Sequence, residues 1–358
     1  MTRADPRADE SSARKSEITE SVSQAAGAQA SGAQGSGTAP AARQSVTDAE
    51  FEALVAPLRR ELIAHCYRML GSSHEAEDMV QETYLRAWRA FHAFEGRSSV
   101  RTWMYQIATR TCLTALGQRG RRPLPSGLGG DPSDPVGTLE TAEVPWLEPL
   151  PDRVEAADPA TTAVSRDGVR LAFVAALQKL TPQQRAVLVL RDVLAFSAAE
   201  TAETLEISVA SANSALQRAR AHAGDTGPID AAELSERDHE LLARYVKAFE
   251  SYDVGAIVDI LSEDAVWQMP PFTGWYRGAE NIGRLISANC PAQGPDDQRL
   301  IPTSANGQPA FGLYMRGEDG VHRPFQLQVL EMGPTGVTNV VAFFDLSLFE
   351  QWGLPETA

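Results

Sequence analysis

The sequence predicts a multidomain protein, with two all-α helical units followed by an α+β domain. Three observations carry this reading. Apolar residues recur at helical spacing through residues 46–122 and again through 165–224. Residues 123–164, between those blocks, are dense in Pro and Gly. Beyond residue 235, two helical stretches give way to strand-like runs. A chain of 358 residues has room for such a division.

Residues 1–45, rich in Ala, Ser, Gly and Gln, bury too little apolar surface to offset their ordering entropy, which predicts a disordered tail. Thr47 or Asp48 then caps a helix carrying Leu58, Leu62, Cys66 and Met69, stopped by Gly71. Ser72 or Ser73 caps "HEAEDMVQETYLRAWRAF", whose apolar stripe is Ala76, Met79, Val80, Tyr84 and Trp88. The loop "FEGRSS" leads into a third helix, "VRTWMYQIATRTCLTAL", completing a small helical bundle. The linker 123–164 includes the proline-stiffened "VPWLEPLPD".

In the second helical block, "DGVRLAFVAALQKL" ends at "TP", where Thr181 and Pro182 start "PQQRAVLVLRDVLAF". "SAAETAETLEI" and "SVASANSALQRARAHA" follow as two short helices across a turn at Glu206–Ser208, the spacing of a helix-turn-helix. A short linker over 225–235 leads to residues 236–354. There a long helix, a shorter one near "VGAIVDILS" and five strand-like runs suggest a β-meander behind two helices.

Composition narrows the function. Cys66, Cys112 and Cys290 are scattered, with no CxxC and no His at ligand spacing, so neither a disulfide framework nor a metal site is expected. No cofactor motif stands out. No apolar run approaches the roughly 20 residues of a membrane span, and a cytoplasmic location without membrane attachment is expected. The net charge of −15 speaks against nucleic acid, but that average hides an uneven placement of charge. Between Gly96 and Gly130 there are six Arg (97, 101, 110, 119, 121, 122) and no Asp or Glu. Trp103 and Tyr105 lie among them, a composition suited to unpaired nucleic acid or to a basic face over an aromatic core. The preceding helix is acidic, with Asp78, Gln81 and Glu82 on one side. The linker is acidic too, with Asp131, Asp134, Glu140, Glu143, Glu148, Asp152, Glu155 and Asp158 against Arg153.

"EAEDMVQETYLRAWRAFHAFEGRSSVRTWMYQIATRTCLTAL" resembles region 2 of the group IV (extracytoplasmic-function, ECF) σ factors of bacterial RNA polymerase. "LTPQQRAVLVLRDVLAFSAAETAETLEISVASANSALQRAR" resembles their region 4, with no room for a region 3 between. The resemblance implies a promoter-specificity subunit that binds core RNA polymerase and promoter DNA and performs no covalent chemistry. Asp78, Gln81 and Glu82 match the positions that grip the clamp helices of the β′ subunit. The β flap is the partner implied for region 4. Arg97, Ser98 and Ser99 match the loop that captures an extruded −10 base. Arg101, Arg110 and Arg119 are implied phosphate contacts. Trp103 and Tyr105 are either strand-stacking residues or core. The linker resembles the segment that runs through the polymerase's basic cleft.

For the −35 element, Asn213 and Gln217 can bond adenine edges. Ser208, Ser211 and Ser214 can reach phosphates or bases, and Arg218 and Arg220 anchor the backbone. Family members typically carry a cation where this chain has Asn213 and another where it has Ala215. Losing about two phosphate contacts predicts weak isolated −35 binding.

"LLARYVKAFESYDVGAIVDILSEDAVWQMPPFTGWYRGAENI" resembles the opening of a SnoaL-like domain of the NTF2-like superfamily, implying a cone around an apolar pocket for an unknown small ligand. Asp264, Trp267, Met269, Tyr276, Tyr314, Gln326, Gln328 and Asp345 line that pocket or simply build the core. No acid–base pair can be read from their spacing. The whole arrangement resembles the actinobacterial σG-like and σJ-like subgroup. There the fused domain tunes activity in cis and no separate anti-σ factor is required. Two other classes stay open: an enzyme acting through the pocket, and a plain helix-turn-helix regulator.

Overall fold

The computed structural model describes residues 48–117, 120–152, 169–223 and 234–358. The expected tail 1–45 lies outside the described residues, as do 153–168, spanning the end of the first linker and the start of the second helical block, and 224–233, at the end of that block and in the second linker.

Four helices form the first block: α1 (Asp48–Val55), α2 (Arg59–Leu70), α3 (Ser73–Phe91) and α4 (Val100–Leu116). Their ends follow local chemistry. Gly71 closes α2 in the left-handed conformation, with φ 72°. Ser72 caps α3 by accepting the Glu75 amide, and Ser99 caps α4 by accepting that of Thr102. Leu62, Cys66, Met69, Val80, Met104, Ala108 and Cys112 are buried where the helices meet. Each large apolar side chain here contributes roughly 1.5–3 kcal/mol.

The second block holds α5 (Leu171–Gln178), α6 (Pro182–Leu188), α7 (Ala198–Leu205) and α8 (Val209–Ala223), with a π-helical turn at Val189–Val193. Thr181 with Gln184, and Ser197 with Glu200, form capping boxes. Glu206 turns the chain between α7 and α8 at φ 55°. Phe173, Leu177, Val187, Leu188, Leu216 and Ala219 are buried between these helices.

The α+β domain opens with α9 (Glu236–Glu250) and α10 (Val254–Ile260). Then come β1 (Leu261–Gln268), β2 (Trp275–Arg277), α11 (Ala279–Asn289), β3 (Gln298–Ala305), β4 (Gln308–Arg316), β5 (His322–Met332), β6 (Val337–Phe343) and α12 (Ser347–Gln351). The sheet order is β2-β1-β6-β5-β4-β3. Strands β3 to β6 form the expected meander. β1 departs from it, running parallel to β6 with Trp267 opposite Val340. Sequence patterning also leaves β2 and α11 unassigned; the three-residue β2 has no periodicity to detect.

Both faces of the sheet are buried. Phe311, Leu313, Leu330, Val340 and Ala342 face α9, α10 and α11, against Tyr245, Phe249, Ile257 and Ile282. Ala310, Leu327, Val329, Val341 and Phe343 belong instead to one continuous core with the first helical block, Leu147 and Leu171.

The described part of the linker, residues 123–152, is bound along its length. The Ser126 amide donates to Gln268 Oε1 (3.0 Å), the Ser133 amide to the Trp275 carbonyl (2.7 Å), and the Thr273 amide to the Glu140 carbonyl (2.8 Å). The linker then returns to α2 and α3, where Leu147 is fully buried. A Cβ at Gly71 would lie 2.9 Å from Leu147 Cδ1, so glycine serves both the φ and the close approach.

Candidate nucleic-acid interface

On α3, Asp78 and Gln81 are exposed, and half-buried Glu82 pairs with Arg86 at 2.6 Å. Leu85 (51% exposed) and Trp88 (40%) continue the same face, one turn and two turns beyond Gln81. Helical spacing places Trp88 in the core stripe. Its ring does meet Phe51 edge-on at 5.1 Å, but much of it faces solvent. Leu85, off the core stripe and beside the acids, was the signal for this apolar extension.

The loop before α4 presents exposed Arg97, in an ion pair with Glu95 at 3.3 Å, beside half-buried Ser98. The Ser99 hydroxyl is occupied by capping. Trp103 is half-buried in a cluster with Phe94 (4.8 Å between ring centres) and Phe91 (6.0 Å), so it is partly core and partly exposed. Tyr105 is core: it is 1% exposed, and its hydroxyl donates to Glu61 Oε2 at 2.9 Å. Burial, reinforced by Glu61, pushes its phenol above the ordinary range. In this structure Tyr105 cannot stack on a strand. Arg101 binds Glu61 at 2.7 Å and lies over the Tyr105 ring. Arg119 lies outside the described residues.

Arg110 bridges the two helical blocks. Its guanidinium donates to the Thr204 (2.9 Å) and Glu203 (3.1 Å) carbonyls at the end of α7, and pairs with Glu206 at 3.2 Å. The helix C-terminus is where a cation is favoured. Arg185 makes the buried counterpart, donating to the Leu177, Gln178 and Leu180 carbonyls and to the Met69 carbonyl closing α2. Burial lowers its pKa to about 10, so it stays charged at neutral pH.

Along α8, Asn213, Ser214, Gln217 and Arg218 are exposed. Ser208 and Ser211 are occupied with each other: Ser208 Oγ accepts the Ser211 amide (3.1 Å) and donates to Ser211 Oγ (2.9 Å). Arg220 is held by Asp192 through two bonds, at 2.7 and 2.9 Å.

The β3–β4 turn joins all these parts. Asn306 is fully buried, and its Nδ2 donates to the Tyr67 hydroxyl (2.9 Å) and the Val169 carbonyl (2.6 Å). Its Oδ1 accepts the Leu150 amide at 2.9 Å. The Gly307 amide donates to the Asp152 carboxylate, and Gln308 Oε1 accepts the Leu171 amide. Tyr67 passes the connection on, donating to the Glu148 carbonyl at 2.7 Å. The Glu148 carboxylate accepts from Ser72 Oγ and the Ser73 amide at the start of α3 and pairs with Arg122.

Comparison with known proteins decides the family. The model for Sigma-70 region 2 matches residues 54–122, and that for Sigma-70 region 4 matches residues 170–222. The chain is 55% identical over 314 residues to the ECF RNA polymerase sigma factor SigG of Mycobacterium tuberculosis, covering 86% of this chain and 85% of that protein. The chain belongs to the ECF RNA polymerase sigma factors. Another relative, the ECF sigma factor SigJ of the same organism, is 28% identical over 76% of this chain and 82% of its own. The crystal structure of SigJ shares the fold, with a TM-score of 0.59 and 24% identity over 86% of this chain and 99% of that one. The σ factor is thus a promoter-specificity subunit of RNA polymerase, a regulator that binds core enzyme and promoter DNA.

In its α+β domain the pocket candidates separate. Trp267, Met269, Tyr276 and Gln328 join the inner core, where Tyr245, which sequence reasoning missed, donates to Gln328 Oε1 at 2.9 Å. Gln326 is buried on the same strand. Asp264 and Asp345 are exposed, and Asp345 accepts from Ser347 at the start of α12. Tyr314 faces the other side of the sheet, edge-on to Phe349, its hydroxyl donating to the Pro355 carbonyl. These three do not line the inner face. No described helix is long and apolar enough to cross a membrane.

Proposed function

We propose that the σ factor grips the β′ clamp helices with Asp78, Gln81 and Glu82, extended by Leu85 and Trp88. Arg97, Ser98 and the exposed part of Trp103 serve the −10 element, and α8 serves the −35 element, with region 4 reaching the β flap. The α+β domain and linker restrain this activity in cis, in place of a separate anti-σ factor, by holding regions 2 and 4 together.

The observation that carries the restraint is Asn306, whose side chain bonds region 2, the linker and the approach to region 4 at once. Geometry supports the consequence. Promoter elements about 25 base pairs apart are separated by roughly 85 Å of duplex. A region 2 helix whose Arg110 touches the helix-turn-helix cannot serve both elements together. The DNA readers must part, whereas Asp78 and Gln81 are already exposed. Regulation rather than catalysis fits the α+β domain, because Asp264 and Asp345 stand outside its interior.

The test is transcription with purified core polymerase by the full chain and by a chain lacking residues 230–358. Unchanged activity together with unchanged polymerase affinity would remove the regulatory role.

A further inference from the structure

The first turn of α8 is apolar where a DNA-reading helix needs contacts. Val209 is 44% exposed and Ala210 beside it is exposed, while Ala212, Ala215, Leu216 and Ala219 form the buried side. The hydroxyls that flank this tip, on Ser208 and Ser211, bond each other and the Ser211 amide rather than projecting outwards. Asn213 lies one turn behind Val209 and Gln217 one turn further, both exposed. A helix-turn-helix sends the N-terminal residues of its second helix to the base edges. The apolar group that the major groove offers there is the thymine 5-methyl.

We infer that Val209 is a specificity residue of the −35 contact, packing its branched side chain on a thymine methyl, with Ala210 giving the helix room to approach. This rests on α8 reading the −35 element. It assigns apolar recognition to a helix whose cations are few: Arg220 is held by Asp192, and Arg218 lies about two and a half turns beyond Val209. Charge from the helix tip would favour guanine acceptors, whereas a valine tip selects the methyl and disfavours the cytosine amino group at the same position.

The experiment uses the full chain with core polymerase. Active −35 sequences are selected from a randomised library with wild type, Val209→Ala and Asn213→Ala. Each thymine of the selected element is then replaced singly, on either strand, by deoxyuridine, which lacks only the methyl. For wild type, one replacement should lower single-round run-off about fourfold, the factor for burying one methyl group. For Val209→Ala that replacement should have no effect, and selection should relax at that position alone.

The inference is overturned by a selected element with no thymine on either strand, by a deoxyuridine scan without effect, or by equal losses in wild type and variant. A uniform loss in Val209→Ala with unchanged selection would assign the residue to a polymerase contact and also overturn it. Asn213→Ala separates the underlying reading. If that variant too leaves the selected sequence unchanged, α8 does not read the element. If it shifts selection while the scan stays flat, only the role of Val209 falls.

Discussion

Asn306→Gly isolates the contact between the α+β domain and the rest of the chain. Asn306 and Gly307 have φ 59° and 67°, joining Ala305 to Gln308 across a two-residue hairpin turn. Glycine accepts this conformation, so β3 and β4 stay paired and the backbone bond from the Asn306 amide to the Leu150 carbonyl survives. What is lost is the side chain's bonds to Leu150, Tyr67 and Val169. At about 1 kcal/mol net for each, the restraint weakens by about 3 kcal/mol, roughly a hundredfold in the ratio of closed to parted chains. Asn306→Ala should cost about 1 kcal/mol more, because alanine resists the left-handed backbone. The readout is energy transfer between labels at Ala90→Cys and Ala221→Cys, both exposed sites, in a Cys290→Ser background. Asn306→Gly should lengthen the distance and raise run-off at limiting σ factor. An unchanged distance and unchanged run-off would refute the argument that this turn holds regions 2 and 4 together.

Asp78→Arg with Glu82→Arg should abolish binding to core polymerase in a pull-down while costing no more than about 1 kcal/mol of folding stability, the loss of the Glu82–Arg86 pair and its replacement by like charges. Glu148→Ala should release the linker from α3, read as faster hydrogen exchange of the Glu148 amide now bonded to the Gly71 carbonyl. His65 sets an acid limit. Burial, with Arg68 nearby, lowers its pKa from 6.5 to about 3, so the folded protein keeps it neutral while the unfolded chain protonates. Its contribution is complete above pH 6.5 and falls away as pH drops towards 3. Between about pH 7.5 and about pH 5 the loss is about 2 kcal/mol, and denaturant midpoints of wild type and His65→Gln should converge over that range.

Helix limits were legible because capping is local: Gly71, Ser72, Thr181 with Pro182, and Ser197 act within a few residues. The same locality hid part of the candidate site. Ser99, Ser208 and Ser211 look like donors in a sequence, yet helix starts consume their hydroxyls. Tyr105 sits among arginines in the chain but one turn from buried Ala108 and Thr109 on the helix. In the α+β domain the obstacle was different. Alternation along a strand reveals an inner face only when the other face meets water. Here Tyr314 and Leu313 are both buried on opposite sides, so periodicity could not separate lining from packing.

The linker's acidity takes on a second meaning in this arrangement. The resemblance leads us to propose that its carboxylates imitate nucleic acid within the polymerase's basic cleft. In the closed chain two of them are tied to segments outside the linker: Glu148 to the start of α3 and Arg122, Asp152 to the Gly307 amide. A helix N-terminus, a hairpin-turn amide and one arginine are what these carboxylates find in their own chain. If the linker enters the polymerase cleft as we propose, that cleft competes for it with the start of α3, Arg122 and the β3–β4 turn. Such a competition is electrostatic on both sides but unequal. Glu148 is half-buried against α3, and salt should screen it less than the broad attraction of an open basic channel. Raising ionic strength should therefore favour the closed chain over the polymerase-bound one. Equal transcription by wild type and Glu148→Ala at low salt, but not at high salt, would show that ordering.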